Sequence, residues 1–304
     1  MNTPEINTKK VRIGNHVFHI SSDDEYLREI NRVFEPRMCQ LFSHICEPNY
    51  RVLDIGANIG CTSLLFGTIA EKVTSFEPSP STFSFLQQNI EESGLDTISV
   101  KNLGLGAADE CLTLTFAPSN RSGGFVSKHA PIREGHNTED VQIRRGDSIV
   151  GNARVDMMKI DVEGFEKHVI EGLSETIRKN HPVVVLELNH WCLSAFQRIT
   201  VPDFFDFLLD VFPIVYAVDR NSILDLRNEG ERYTAMYNHI MHQEYANLVA
   251  AFHPGQLQRF YAAGHLDLPP IFVEAENCQC DLIALRSSVR PSPSRAGQFG
   301  RRGS

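Results

Sequence analysis

Between about residues 50 and 220, apolar positions follow two alternating rhythms. Four short segments predict strands of a main series: RVLDI (51–55), KVTSFE (72–77), VDMMKID (155–161) and VVVLEL (183–188), the last apolar enough to be buried on both faces. Stretches between them carry apolar residues at helical spacing. One helix follows through Leu64, Leu65 and Ile69. A second opens at Ser81, places Phe83, Leu86 and Ile90 on one face and stops at Gly94. Another spaces Phe165, Val169, Leu173 and Ile177 by four and stops before Pro182. ISVKNLG (98–104) predicts a third strand of the main series, whereas the strictly alternating CLTLTF (111–116) predicts an accessory or hairpin strand. The rhythm continues through PDFFDFLLDVF, PIVYAVD and a short NSILDL strand. Residues 228–270 are mixed in pattern, and DLIALR (281–286) predicts a last strand.

Strands alternating with helices predict an α/β, Rossmann-like, doubly wound and mostly parallel sheet. Right-handed crossovers bring the strand C-termini to one edge, where ligands bind. The first 49 residues predict an N-terminal cap. VRIGNHVFHI alternates around Gly14-Asn15 as a hairpin does, and a helix capped by Asp23 or Asp24 follows with Leu27, Ile30, Phe34 and Met38 at its spacing. Residues 50–286 form the main domain, and the Ser-, Pro-, Gly- and Arg-rich stretch 287–304 predicts a disordered tail.

Composition narrows the partners. With 304 residues, 42% apolar and 22% charged, the chain can bury a sizeable core. A net charge of −9 disfavours nucleic acid as a partner. No run of about 18 apolar residues predicts a membrane span, and the first residues lack the layout of a secretory signal; the expected location is cytoplasmic. The seven cysteines are odd in number and scattered, which argues against a disulfide framework. Cys278 and Cys280 lie close, but no second pair completes a zinc site. Nothing in the sequence specifies an oligomeric state.

The segment LDIGANIG (53–60) leaves a strand and enters a helix. Gly56 permits a sharp turn close to a ligand, and Gly60 lets the next helix start near the sheet. Dinucleotide sites use GxGxxG at this place. Here the spacing is DxGxxxG, without the middle glycine, so a pyrophosphate is less well cradled. S-adenosylmethionine has no pyrophosphate, and Asp54 is placed to attract its ammonium directly or through water. Glu77, seventeen residues after Gly60, ends the second strand and can accept hydrogen bonds from ribose hydroxyls. That position suits either cofactor; the glycine spacing favours S-adenosylmethionine over NAD.

VLDIGANIG, FEPSPSTFSFLQQN, MKIDVEGFEKHVIEGL and VVVLEL, in this order, resemble the FkbM-type methyltransferase family over residues 50–190. The resemblance implies a class I methyltransferase fold, S-adenosylmethionine as donor, and O-methylation of glycan sugars or polyketide-type natural products. Carried over by position, Asp54, Gly56, Asn58 and Gly60 line the methionine end of the cofactor, Glu77 holds the ribose and Pro78 turns the chain beside the adenine.

Methyl transfer to a hydroxyl requires aligned reactants and a proton acceptor. Asp161, at the end of the fourth strand, is the first candidate for the general base or acceptor-orienting group, and Glu163 is the second. Glu166 is placed either for the site or for the first turn of a helix. Paired acids here can also hold a divalent metal, but no second ligand cluster is evident, and a metal-free site is the expectation. Glu187, Asn189, His190 and Trp191 follow the fifth strand at the same edge. The polar stretch Ser119–Gly124 suits an acceptor lid or a surface loop, and His239 and His242 read as solvent-facing. The acceptor expected is a carbohydrate, glycan or related small polyol or natural product. An NAD-dependent oxidoreductase and a non-catalytic cofactor-binding module remain the alternatives.

Overall fold

The computed structural model describes residues 6–127, 129, 135–220 and 222–263. An N-terminal hairpin pairs β1 (Asn7–Ile13) with β2 (His16–Ser22). The main sheet then starts with β3 (Arg51–Ile55), β4 (Lys72–Phe76) and β5 (Ile98–Lys101). The chain leaves it to build a second sheet from β6 (Gly104–Gly106), β7 (Glu110–Ala117), β8 (Asn120–Val126) and β9 (Asn137–Arg145), in the order β6-β9-β7-β8. It returns with β10 (Met157–Ile160), β11 (Val183–Glu187), β12 (Ile214–Asp219), β13 (Ser222–Asp225) and β14 (Asn247–Ala251).

The eight-stranded order is β13-β12-β14-β11-β10-β3-β4-β5. From β5 to β11 every neighbour is parallel; β14 runs antiparallel between β11 and β12. The chain starts at β3, winds outward to β5, then restarts on the other side of β3 with β10. This reversal is the topological switch point, where ligands bind in open α/β sheets. The doubly wound, Rossmann-like fold expected from the sequence is therefore present.

Strand periodicity explains the two cores. Leu53, Ile55, Met158, Ile160, Val184 and Leu186 face one side, under helices contributing Val169, Ile170, Phe204 and Leu208. Val52, Met157, Val183 and Val185 face the other, under Leu64, Leu65, Leu86 and the N-terminal flank. Each such side chain, fully buried, contributes about 1.5–3 kcal/mol.

Several elements differ from expectation. The single helix predicted after Asp23 is two, Tyr26–Glu29 and Pro36–Ile45. Pro36 starts a new helix because it lacks an N–H and restricts the residue before it; Glu35 takes a φ of +23°. Neither Asp23 nor Asp24 caps the first helix. Asp24 accepts from Ser22 Oγ (2.8 Å) and Arg121 N (3.0 Å) instead, and Asp23 pairs with Arg121. Ser79, not Ser81, caps the helix Pro80–Ser93, through Thr82 N. ISVKNLG divides between β5 and β6 in different sheets, and the helix after Asp161 breaks at Leu173. The Ser119–Gly124 stretch is a turn entering β8 and is pinned to the flank, with Glu25 N donating to Ser119 O (2.8 Å). The mixed region after 228 holds the helix Glu229–His242 and β14. DLIALR (281–286), the 287–304 tail, Cys278 and Cys280 lie outside the described residues. Among the described residues, no helix is long and apolar enough to cross a membrane.

Candidate active site

At the switch point, β3 runs into a loop that only glycine can complete. Gly56 has a φ of +80°, and a Cβ there would lie 1.8 Å from the Asp161 carbonyl oxygen. Gly60 has a φ of +98° and lies against Leu86. Asn58 also takes a positive φ, +49°. The loop is held from three sides. Gly56 N and Ala57 N donate to Phe76 O, and Asn58 N donates to Glu77 Oε2 (3.0 Å). Asn89, fully buried on the helix Pro80–Ser93, donates to Ile59 O and bonds both backbone groups of Ser21. The N-terminal hairpin is thus tied to the loop through one amide side chain. Sequence patterning gave no hint of Asn89, because a buried polar residue on an apolar face leaves no periodic mark.

Glu77 lies at the end of β4, buried, and accepts from Asn58 N and from Ser79 N (2.9 Å). Burial pushes its carboxyl up to about 7, against the pull of those two N–H groups. Each oxygen keeps a lone pair for a ligand hydroxyl. Asp54, by contrast, has no exposed surface. Its Oδ2 accepts from Thr62 Oγ1 (2.8 Å) and Ser63 Oγ (2.6 Å), and its Oδ1 lies 3.5 Å from Lys159 Nζ.

Asp161 follows β10 directly, and its N–H extends the ladder to Ile55 O (3.1 Å). Its side chain is 35% exposed and lies 3.3 Å from Lys159 Nζ. Glu163, with a φ of +51°, sets Oε2 where Asn189 Nδ2 (3.3 Å) and Cys192 Sγ (3.1 Å) donate to it. Oxygens of Asp161, Glu163 and Glu187 lie within 4.8 Å of one another, close enough to hold a metal ion. Burial and the Asp161 charge push Glu163 up to about 8 and Glu187 well above the usual carboxylate range. Glu166 opens the next helix, fully buried, where Val162 N and Gly164 N donate to its Oε1, so it shapes the loop carrying Glu163. Burial raises it to about 7.

Glu35 is a further acid that patterning missed. Its residue is exposed, and the surrounding protein, then the Asp161 charge, push its carboxyl upward. His239, read from sequence as solvent-facing, is 3% exposed. Its Nδ1 lies 2.8 Å from Glu244 O and therefore donates, which leaves Nε2 to accept from His190 N. Burial lowers His239 to about 4 and keeps it neutral. The helix Glu229–His242 thereby braces the segment that carries Asn189 and His190. Trp191 is 41% exposed at the same edge.

These raised carboxyls set a pH dependence. A raised folded pKa favours the protonated form, so its stabilisation is lost as pH rises through that value. Neutral His190 and His239 act in the opposite sense, but their contribution is complete above about pH 6.5. The ligand-free protein is therefore expected to melt at a lower temperature at pH 8 than at pH 6.5. Glu166→Gln retains the accepting carbonyl and should flatten that fall in scanning calorimetry. A melting temperature that rises over this window would contradict the assignment.

A family model described as the methyltransferase FkbM domain matches residues 54–224. The chain belongs to the FkbM methyltransferase family. "Methyltransferase 1" of Beauveria bassiana is 30% identical over 145 residues, 41% of this chain and 58% of that protein. The "hexuronic acid methyltransferase AglP" of Haloferax volcanii is 27% identical over 171 residues, 55% of this chain and 68% of that protein. The match thus spans little more than half the length of the first of these relatives. The crystal structure of the FkbM methyltransferase from Methylobacillus flagellatus aligns with a TM-score of 0.39 at 17% identity, over 55% of this chain and 38% of that one. The matched FkbM segment contains the glycine loop, Glu77, Asp161, Glu163 and Glu187.

Proposed function

We propose that this chain transfers a methyl group from S-adenosylmethionine to a hydroxyl of a carbohydrate, glycan or related small polyol or natural product. The observation that carries the reading is the contact of the glycine loop with Asp161: the Asp161 carbonyl occupies the space a Gly56 side chain would fill. A donor seated on this loop lies beside the acidic edge. The donor supplies a methyl group on positively charged sulfur. The protein supplies alignment and a proton acceptor.

In this reading, Gly56, Asn58 and Gly60 shape the methionine end, and Glu77 accepts from the ribose hydroxyls. Asp161 takes the proton of the acceptor hydroxyl, with Glu163 beside it. Fixed geometry supplies the larger share of acceleration, on the order of 7–11 kcal/mol in favourable systems. The relative from Haloferax volcanii is by its name a hexuronic acid methyltransferase, so sugars and uronic acids are the first acceptors to test.

The test is transfer of a labelled methyl group from S-adenosylmethionine to a panel of sugars, uronic acids and polyols. The expected product is a methyl ether, stable to mild base. Label in a base-labile ester, or in no acceptor despite donor binding, would overturn O-methylation; the second result would favour a non-catalytic binding module.

In this reading the three clustered acids hold protons. Asn189 and Cys192 already donate to Glu163 Oε2, which satisfies that oxygen without a cation. Turnover is therefore expected to survive dialysis against EDTA. Loss of activity restored by Mg²⁺ would reassign Asp161, Glu163 and Glu187 as metal ligands.

A further inference from the structure

Beneath the glycine loop, one row of polar side chains interrupts an apolar face of the sheet. Strand register sets Ser75 of β4, Asp54 of β3 and Lys159 of β10 side by side. Their neighbours on that face, Val52, Met157, Val183 and Val185, are apolar and buried. Ser75 and Asp54 have no exposed surface, and Lys159 is 4% exposed. Ser75 Oγ donates to Ser63 Oγ (2.8 Å), and Ser63 and Thr62 donate to Asp54. Lys159 Nζ completes the row. It donates to Gly56 O at 2.7 Å, and lies 3.5 Å from Asp54 Oδ1 and 3.3 Å from Asp161 Oδ2.

Burying an ion pair in such a place seldom favours folding over apolar residues of similar volume. Its position suggests another use. The ammonium donates to the glycine loop and is ion-paired with one carboxylate of the sheet and one of the catalytic edge. We propose that Lys159 is a positioning residue that clamps the S-adenosylmethionine loop to Asp161, and that Asp54 acts by holding Lys159. The inference rests on the function proposed above.

The clamp acts through fixed geometry. Holding the Gly56 carbonyl inward fixes the peptide plane from which the loop turns, and the same ammonium holds one oxygen of Asp161. Burial opposes the charge on Lys159, but Asp161 and Asp54 outweigh it and keep the amine protonated, above the ordinary lysine range. In this arrangement Asp54 supports cofactor binding through Lys159, without surface of its own facing a ligand.

The experiment measures binding of S-adenosylmethionine and of its demethylated product, S-adenosylhomocysteine, by calorimetry, with melting temperature recorded for each protein. Lys159→Met should weaken both affinities at least tenfold, and it also leaves Asp54 buried and unpaired. The double variant Asp54→Leu/Lys159→Met removes that unpaired charge, and it should melt above Lys159→Met, although below wild type because Thr62 and Ser63 lose their acceptor, while still binding at least tenfold more weakly. A merely structural role predicts that affinity returns with stability. Binding by the double variant within twofold of wild type would overturn the clamp. Should neither apolar variant fold, Lys159→Arg decides: it keeps the charge on a longer, planar head that should displace the 2.7 Å contact, and at least threefold weaker binding is expected, whereas unchanged binding would overturn the proposal. Wild-type protein that binds neither compound would overturn the proposed function, and the clamp with it; wild-type binding with unaffected variants would overturn the clamp alone.

Discussion

Gly56→Ala is expected to abolish measurable cofactor binding. Two costs coincide at this position. A φ of +80° is strained for any residue with a Cβ. The added carbon would also lie 1.8 Å from the Asp161 carbonyl oxygen, far inside any real contact. Both partners are backbone, so no side chain can swing aside. Either the loop or the segment after β10 must move, and each carries half of the proposed site. At least a hundredfold loss of affinity is expected, about 3 kcal/mol, with a lower melting temperature. Gly94→Ala is the control. Gly94 has a similar φ, +70°, but nothing lies within 4 Å of its added Cβ. It should cost about 1 kcal/mol of stability and leave binding unchanged. Equal effects of the two variants on binding would show that backbone strain, not the contact with Asp161, matters at Gly56.

Asp161→Asn is expected to reduce turnover by about 10²–10⁴-fold, the usual range for loss of a general base. Asparagine is nearly isosteric, so the ladder bond to Ile55 O and the packing against Gly56 should persist. The donor's dissociation constant should stay within a few-fold of wild type. A fall in turnover with binding preserved is the signature of a group acting on the acceptor. Unchanged turnover would remove Asp161 from the chemistry and move attention to Glu163. Weakened binding with unchanged turnover would make Asp161 part of the donor site alone.

Much of this site was legible in the sequence because it depends on strand ends. RVLDI, KVTSFE and VDMMKID alternate with helical segments, which defines them as strands, and their last residues meet at one edge of a parallel sheet. Gly56 and Gly60 were readable because positive φ favours one residue type. What stayed hidden is side-chain direction and long-range pairing. Asp54 stands in the same strand end as the loop, yet register turns it inward to Lys159. Glu187 was seen as an edge residue, but its closeness to Asp161 and Glu163 depends on how β11 is placed against β10. Asn89 reaches the site from a helix distant in sequence, and no periodicity reports that. The helix break at Pro36 was obscured because Phe34 and Met38 keep helical spacing across it. The segment 228–251 resisted because β14 enters the sheet antiparallel between strands made earlier, against the βα rhythm.

The most direct test of the central claim is a calorimetric titration of the purified wild-type protein with S-adenosylmethionine and, separately, with NAD. Saturable binding of S-adenosylmethionine alone is the predicted result. Binding of NAD without affinity for S-adenosylmethionine would contradict the account and make the glycine loop a dinucleotide site.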